Sequence, residues 1–523
     1  MARNFFNYIN YSYSGGMNDA DEIDQLRDEE AVLVQNAYVR SVGALEKRAG
    51  MSAVGDDTGS TAITGLTGWR EDDGTKWILS TTGTNLRYLN SATWTTMDNG
   101  FTTGLDTEYV IANNKMYLFN GTDNTHSWDG ASVVLNSGLV DMGATTVPKA
   151  KYGLWWKNYL FMAGESDLNG TKYPARVWFS NIGDPDTFTT GTDYFDVGLS
   201  DGQEITGLGI LGEYLVVFKR KSVYVLSGSG PADWKLSGTV NNLVNVENSI
   251  GCVSHRSIVQ IGNDLWFMSD DGIRSLRRNE EGGSPLTGIV SGNIQGTIDS
   301  LNPSALDKIC ATLYDKRVYY AMPTGSSTYN NIVMVADTRI TLDKPYNPFP
   351  WTKYTGWQPA VFAVHRPSSQ LTLYFGNGSA DSKVFIGETG STDVAAVGTL
   401  ANSGKIDFDY RSKMIDLRQP EMDKTFRFMK VGVQSGGDYD VTVYTSVDGQ
   451  VYTNRGVINL SSGDLWNTGV WDTATWGYQG EIKKKFSTIR ASEQIQVRFE
   501  NDAAGEDVKM YPYTLAIKTK KVK

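Results

Sequence analysis

Residues 205–234 read ITGLGILGEYLVVFKRKSVYVLSGSGPADW and residues 252–276 read CVSHRSIVQIGNDLWFMSDDGIRSL. Each half runs from an alternating apolar segment through a tight polar turn into a second hydrophobic strand, then through a basic or polar turn into a third. The spacing predicts strands at Leu208–Ile210, Tyr214–Phe218 and Val223–Leu226, and again at Ser257–Ile261, Leu265–Met268 and Ile273–Leu276. Alternation with a period of two, bounded by Gly, Asn and Asp, marks strands with one buried face. An antiparallel meander that recurs about every 40 residues marks the blades of a propeller.

The same grammar extends in both directions. ITGLTGWREDDGTKWILSTTGTNLRYLN carries the hairpin signal Asp73-Gly74, EYVIANNKMYLFNGTDNTHSWDG turns at Asn113-Asn114, and YGLWWKNYLFMAG turns at Lys157-Asn158 before an excursion through Asn169-Gly170 to VWFSNIGDPDTF. Downstream, ICATLYDKRVYYAMPTG with NIVMVADTR and AVFAVHRPSSQLTLYFGNG with KVFIGE repeat it. The expectation is an all-β chain: a β-propeller of six or seven blades over residues 61–400, with an N-terminal arm and hairpin over 1–60 that could belong to a platform. Within that arm Asp28 is placed to cap a short helix with Glu29 and Glu30 in its first turn, followed by two strands that reverse at Gly43. After Leu400 the segments GKIDFDYRSKMIDL, TFRFMKVGVQSGGDYDVTVYTSVDGQVYT and QIQVRFENDAAGEDVKMYPYTLAIKTK predict longer strands, a β-sandwich over 401–523 with a hairpin at Asp448-Gly449.

At 523 residues the chain exceeds what one core normally serves, and its 55 glycines fit a protein of many turns. The net charge of −11 gives no global attraction to nucleic acid or an anionic membrane. Cys252 and Cys310 sit in apolar strand-like segments without metal-ligand spacing and are expected as buried free thiols. The N-terminus lacks an apolar core of signal-peptide length and no stretch reaches the roughly 18 apolar residues of a membrane span, so folding in a cytoplasm is expected.

The chemical inventory is sparse. His126, His255 and His365 are the three histidines, and none lies in HExxH. There is no GxSxG elbow, phosphate loop or dinucleotide fingerprint, and Gly228-Ser229-Gly230 reads as a turn. The acidic pairs Asp72-Asp73, Asp184 with Asp186, and Asp270-Asp271 stand beside Gly or Pro, where Asp is the preferred turn former. Asp19, Asp21 and Asp24 lack the glycine and distal Glu of a calcium loop. Trp155-Trp156 and Trp466, Trp471 and Trp476 are assigned to packing ahead of sugar stacking, and the basic end KTKKVK to a solvated terminus. No catalytic, cofactor-binding or metal-binding residue is assigned, and no enzyme activity or cofactor is expected.

Four segments carry a resemblance: SGGMNDADEIDQLRDEEAVLVQNAYVRSVGALEKRAG (14–50), WFSNIGDPDTF (178–188), FDVGLSDGQEITGLGILGEYLVVFKRKSVYVLSG (195–228) and IGCVSHRSIVQIGNDLWFMSDDGI (250–273). They resemble the β-propeller tail proteins of bacteriophages, of the nozzle (tail tubular) and tail-hub type of short-tailed phages. The resemblance implies a structural virion protein, assembled in the host cytoplasm into a homo-oligomeric ring, typically of six copies, below the portal and adaptor proteins. Such rings pass genomic DNA without sequence recognition, have no membrane partner, and dock fibres or spikes. Their platform is often built from both ends of the chain and faces the adaptor. Two alternatives stand beside it: a minor tail or head-completion protein of a longer-tailed phage, and a glycan-binding or glycan-cleaving tail propeller. The latter requires two carboxylates converging in one pocket about 5–10 Å apart.

Overall fold

In the computed structural model, six free-standing four-stranded antiparallel sheets are arranged as the blades of a β-propeller. The structure describes residues 6–40, 43–55, 59–143, 145–234, 242–277, 286–344, 347–393, 404–434, 439–460 and 481–519. Blades one to five run through residues 63–98, 108–141, 152–196, 205–247 and 259–289. The next meander, Cys310–Tyr314, Arg317–Met322, Ile332–Asp337 and Trp351–Thr355, occupies the sixth position but continues edge to edge into a ten-stranded sheet. The seventh position holds Pro359–His365, Thr372–Asn377 and Val384–Gly387. The expectation of six or seven units thus corresponds to six separate blades and one fused meander. The first strands of neighbouring units lie side by side around the ring, and Pro359–His365 returns to Ile63–Arg70.

The turn chemistry explains the hairpins. Asn113-Asn114 (φ 48° and 55°) and Lys157-Asn158 (48° and 62°) adopt the left-handed pair that a two-residue turn between right-twisted strands demands, and Asp448-Gly449 (46° and 71°) adopts the same pair at the start of the longer connection between Tyr439–Val447 and Thr453–Leu460. Close blade packing explains glycines within the first and second strands of the blades. A methyl group at Gly68 would stand 2.3 Å from His365 Cβ, and one at Gly376 would stand 2.3 Å from Ile63 Cγ2, so neither position accepts a larger residue without movement. Between blades the core is aromatic. Trp69 meets Trp128 edge-on at 5.4 Å, Phe218 meets Phe267 at 4.8 Å, and Trp234 is enclosed by Trp156, Tyr159, Phe161 and Phe179. Such pairs contribute about 0.5–1.5 kcal/mol each beyond the area they bury.

Closure of the ring uses the other end of the chain. Met51–Val54 pairs antiparallel with Val384–Gly387 as the fourth strand of the last blade. The propeller therefore draws on residues that the sequence assigned to the arm, and the boundary at 60/61 falls after the closing strand. A second correction concerns Asp28. Residues 22–29 form turns, and Glu30 opens a strand, Glu30–Gln35, in place of a helix. The reason is what Glu30 meets. It is buried at 2 % exposure, accepts the Arg27 N–H, and is contacted by Lys344, Asn293 and Asn18, so three side chains fix it where a helix would have left it in solvent.

The platform is a two-layer sandwich made by both termini. One layer is a six-stranded sheet that combines Ala37–Val39, Leu45–Lys47 and Phe6–Ile9 with Lys424–Gln434, Glu481–Ser492 and Lys509–Thr519. The other is the platform half of the ten-stranded sheet, in which Glu30–Gln35 lies between Trp351–Thr355 of the fused meander and Phe408–Ser412. Phe426, Met429, Val431, Leu515 and Ile517 of the first layer share one core with Val34, Tyr410, Val441, Val443 and Phe499 of the second, and that core continues into Trp266, Met268 and Tyr320 of the propeller. Cys252 and Cys310 are free and buried, as expected. Burial pushes the Cys252 thiol up to about 11 and Cys310 higher still, which leaves both unreactive in the folded protein. Trp466, Trp471, Trp476 and the last four residues lie outside the described residues.

Candidate functional site

A constellation of charged and polar side chains stands at the centre of the ring. Val253–Ser257 crosses from blade four to blade five, and its single turn, His255–Ser257, precedes the inner strand Val259–Ile261. That turn aims Arg256 across the axis. Its Nε donates to Glu108 Oε1, and Nη2 donates to the carbonyls of Thr64 (2.7 Å) and Thr107 (2.9 Å). Nη1 stands 3.5 Å from the Ala360 carbonyl and 3.5 Å from Asp106. One guanidinium thus ties units one, two and seven to the unit that carries it. Burial alone would depress its pKa, but Glu108 and Asp106 outweigh burial and keep the group charged.

Arg256, Glu108 and His255 line two cavities at once. One, about 640 Å³, is walled by Asp106, Lys151, Tyr152, Glu204, Arg220 and Lys308, and the other, about 300 Å³, by Leu66, Tyr109, Cys310 and Val361. The propeller axis is therefore interrupted by the guanidinium. His255 stacks on Tyr152 (4.6 Å, 28° between planes), and its Nδ1 accepts the Leu208 N–H at 3.3 Å. Burial pushes its pKa down, so the ring is neutral and carries its proton on Nε2.

Asp106 and Glu108 do converge in one pocket, the arrangement a glycosidase would need. Here the guanidinium stands between them. Burial would raise the Asp106 carboxyl, but Arg256 and Lys308, 3.0 Å away, more than cancel it and hold the group below the usual carboxylate range. A glycosidase acid needs the opposite shift. What this geometry does is clamp four parts of the ring and fill the axis.

The other candidates from the sequence are dispersed. His126 Nδ1 contacts the Asn124 carbonyl at 2.7 Å in blade two, and His365 packs against Gly68 with its pKa lowered by burial and by Lys76. Asp73 accepts the Thr75 N–H in its turn, Asp186 holds Lys115 and the Tyr117 hydroxyl, and Asp270 holds Arg220 and Lys221. Asp19 accepts from Gly296 N and Thr297 Oγ1, while Asp21 accepts from Asn18, so the two serve different contacts. Among the described residues no three His, Cys, Asp or Glu side chains are grouped to hold a metal ion, and no helix is long and apolar enough to cross a membrane. Trp156 is buried in the blade-three core.

Asp106, Glu30 and Asp337 share one electrostatic pattern. Burial raises each carboxyl, but Arg256 and Lys308, Lys344, and Arg339 with Arg317 respectively bring each below its usual value. A depressed folded pKa contributes stability above the unfolded value of about 3.9–4.3, and that contribution is lost as pH falls through the folded value. His255 and His365, whose folded pKa values are lowered by burial, lose stability as pH falls below the unfolded histidine value of about 6.5, so the melting temperature is expected to decline gently from about pH 6.5 and to drop steeply below about 4. A thermal-melt series across that range that stays flat in acid would remove these pairs from the account.

No protein-family model matches this chain, and no curated protein matches it in sequence. Solved structures with similar backbones include a catalytically inactive virginiamycin B lyase from Staphylococcus aureus with quinupristin (10% identity, 64% of this chain and 98% of that one, TM-score 0.39). The AfRom2 CNH domain matches at 11% identity over the same shares, with a TM-score of 0.38. An exo-β-1,3-galactanase from Phanerochaete chrysosporium with galactose covers 90% of this chain and 100% of its own at 8% identity and a TM-score of 0.27.

Proposed function

We propose that this chain is a non-enzymatic structural subunit of a bacteriophage tail, of the nozzle or hub type, whose copies form a ring that conducts the genome and docks fibres or spikes. The observation that carries this reading is the platform. Both ends of the chain are woven into one sandwich, which is fused by a continuous sheet to a single propeller position. That is the division of labour the resemblance implies, with a rigid base for stacking on an adaptor and a propeller body projecting from it. It also accords with an axis closed by Arg256, because a conduit built from such subunits has its lumen between copies, outside any one propeller. A platform and propeller that share one hydrophobic core transmit force as one unit, which suits a mechanical part.

The expected result for the purified full-length protein, alone or added to a portal–adaptor complex, is a closed ring of about six copies by mass photometry. A protein that stays monomeric under both conditions overturns the reading.

A further inference from the structure

The outer face of the six-stranded platform sheet is basic although the chain is acidic. Strand register assembles it. Lys430 stands directly opposite Lys485, Gly432 separates Lys483 from Tyr511, and Thr425 is opposite Lys518. Lys509 enters the same face two residues before Tyr511, with its Nζ 6.0 Å from that ring. Lys430, Lys483, Lys485 and Lys518 are exposed, while the alternate residues Met429, Val431, Phe486, Leu515 and Ile517 point into the core. Among the described residues no carboxylate lies within ion-pair distance of Lys430, Lys485 or Lys518; Glu46, opposite Lys509 in the register, is taken by Arg40, and Glu481 starts the edge strand opposite Gln434. Lysines set directly opposite one another across a strand pair repel.

Lysines on an edge strand also guard against edge-to-edge aggregation, and Glu481–Ser492 is an edge strand. That role covers Lys483 and Lys485. It does not cover Lys430, Lys509 or Lys518, which lie on interior strands.

We infer that this face is a contact track for the sugar-phosphate backbone of duplex DNA. From Lys509 to Lys518 the track is about 30 Å long, and across its three strands about 10 Å wide; one duplex turn is about 34–36 Å. Its cations are lysines, point charges that meet phosphates without the forked geometry that reads bases. The half-buried Phe428 ring between them is not free for stacking, because Lys485 Nζ sits 4.1 Å and Lys430 Nζ 5.9 Å from its centroid. A single strand, which binds through base–aromatic stacking, is thereby disfavoured relative to a duplex backbone. The net charge of −11 repels DNA elsewhere, so the track confines contact to one face. The inference rests on the tail reading only for the identity of the DNA.

The test is fluorescence anisotropy of full-length protein with a fluorescein-labelled random duplex of about three turns, at low and moderate salt. Binding is expected, with a log–log salt slope of about −4. Combining Lys430→Glu with Lys485→Glu should weaken binding at least about tenfold and shorten the slope by about 2, since each lost phosphate contact contributes about 0.9. The pair Lys76→Glu with Lys316→Glu makes the same change in net charge elsewhere and should bind as the parent does. Circular dichroism and melting confirm that each variant folds. Absence of duplex binding at low salt, or equal binding by both pairs, overturns the inference. So does a salt-sensitive change in oligomer mass without DNA binding, which would make this face a subunit contact. Ring mass is read separately: rings that form without DNA binding sink the track alone, and DNA binding without rings sinks the tail reading alone.

Discussion

Arg48→Met lowers the stability of this protein by about 3–5 kcal/mol, the loss expected when one partner of a fully buried ion pair is removed. Arg48 is wholly enclosed, and all five of its N–H groups are used. Nη1 and Nη2 grip Asp393 at 2.9 and 2.5 Å and donate to the Ala49 and Thr355 carbonyls, and Nε donates to Asn36 Oδ1. The rings of Tyr354 and Trp357 lie 5.3 and 5.1 Å from the guanidinium carbon. These partners come from the platform, the fused meander and the segment beyond the closing blade, so one side chain fastens the seam where the propeller shuts. The methionine variant leaves Asp393, 5 % exposed, as an uncompensated buried charge. Combining Arg48→Met with Asp393→Leu removes that charge and should recover part of the loss. Urea unfolding followed by tryptophan fluorescence measures both, and a single-variant loss below about 1 kcal/mol would show that the seam is held by something else.

Arg256→Met is expected to cost a similar amount, about 3–5 kcal/mol, because it strands Glu108 and removes the guanidinium donor from the Thr107 carbonyl, while the Thr64 carbonyl keeps the Thr107 N–H. Its signature differs. Arg256 contacts only propeller units, so the variant should loosen the ring centre: amide hydrogens of Ile63–Arg70, Glu108–Ala112 and Pro359–His365 should exchange faster, while the platform strand Lys424–Gln434 stays protected. Adding Glu108→Gln removes the orphaned charge and should return part of the stability. If exchange at the inner strands is unchanged, the guanidinium is not what closes the axis.

The propeller was legible because its hairpins are local. Asp73-Gly74, Asn113-Asn114 and Lys157-Asn158 each lie between alternating strands and turned where the pattern put them. What escaped was non-local. Met51–Val54 is four residues with no turn signal, and only its pairing with Val384–Gly387, from the far end of the chain, reveals it as a blade strand. Glu30 looked like a first-turn helix residue because Lys344 and Asn293, its partners, are remote in sequence. Arg256 carried a weak signal, an arginine directly beside a strand of apolar inner positions, but its carboxylate partners belong to another blade. The basic face left no trace in the charge total, since Lys430, Lys485, Lys509 and Lys518 become neighbours only once three strands take their register.

The central claim is that copies of this chain assemble with their platforms together and their propellers outward around a shared lumen. Cryo-electron microscopy of the protein on its portal–adaptor complex tests it most directly. The account predicts a ring of about six subunits with platforms stacked against the adaptor, a continuous central channel between copies, and each propeller axis closed. An isolated monomer, or a ring whose only through-passage runs along the propeller axis past Arg256, would contradict it.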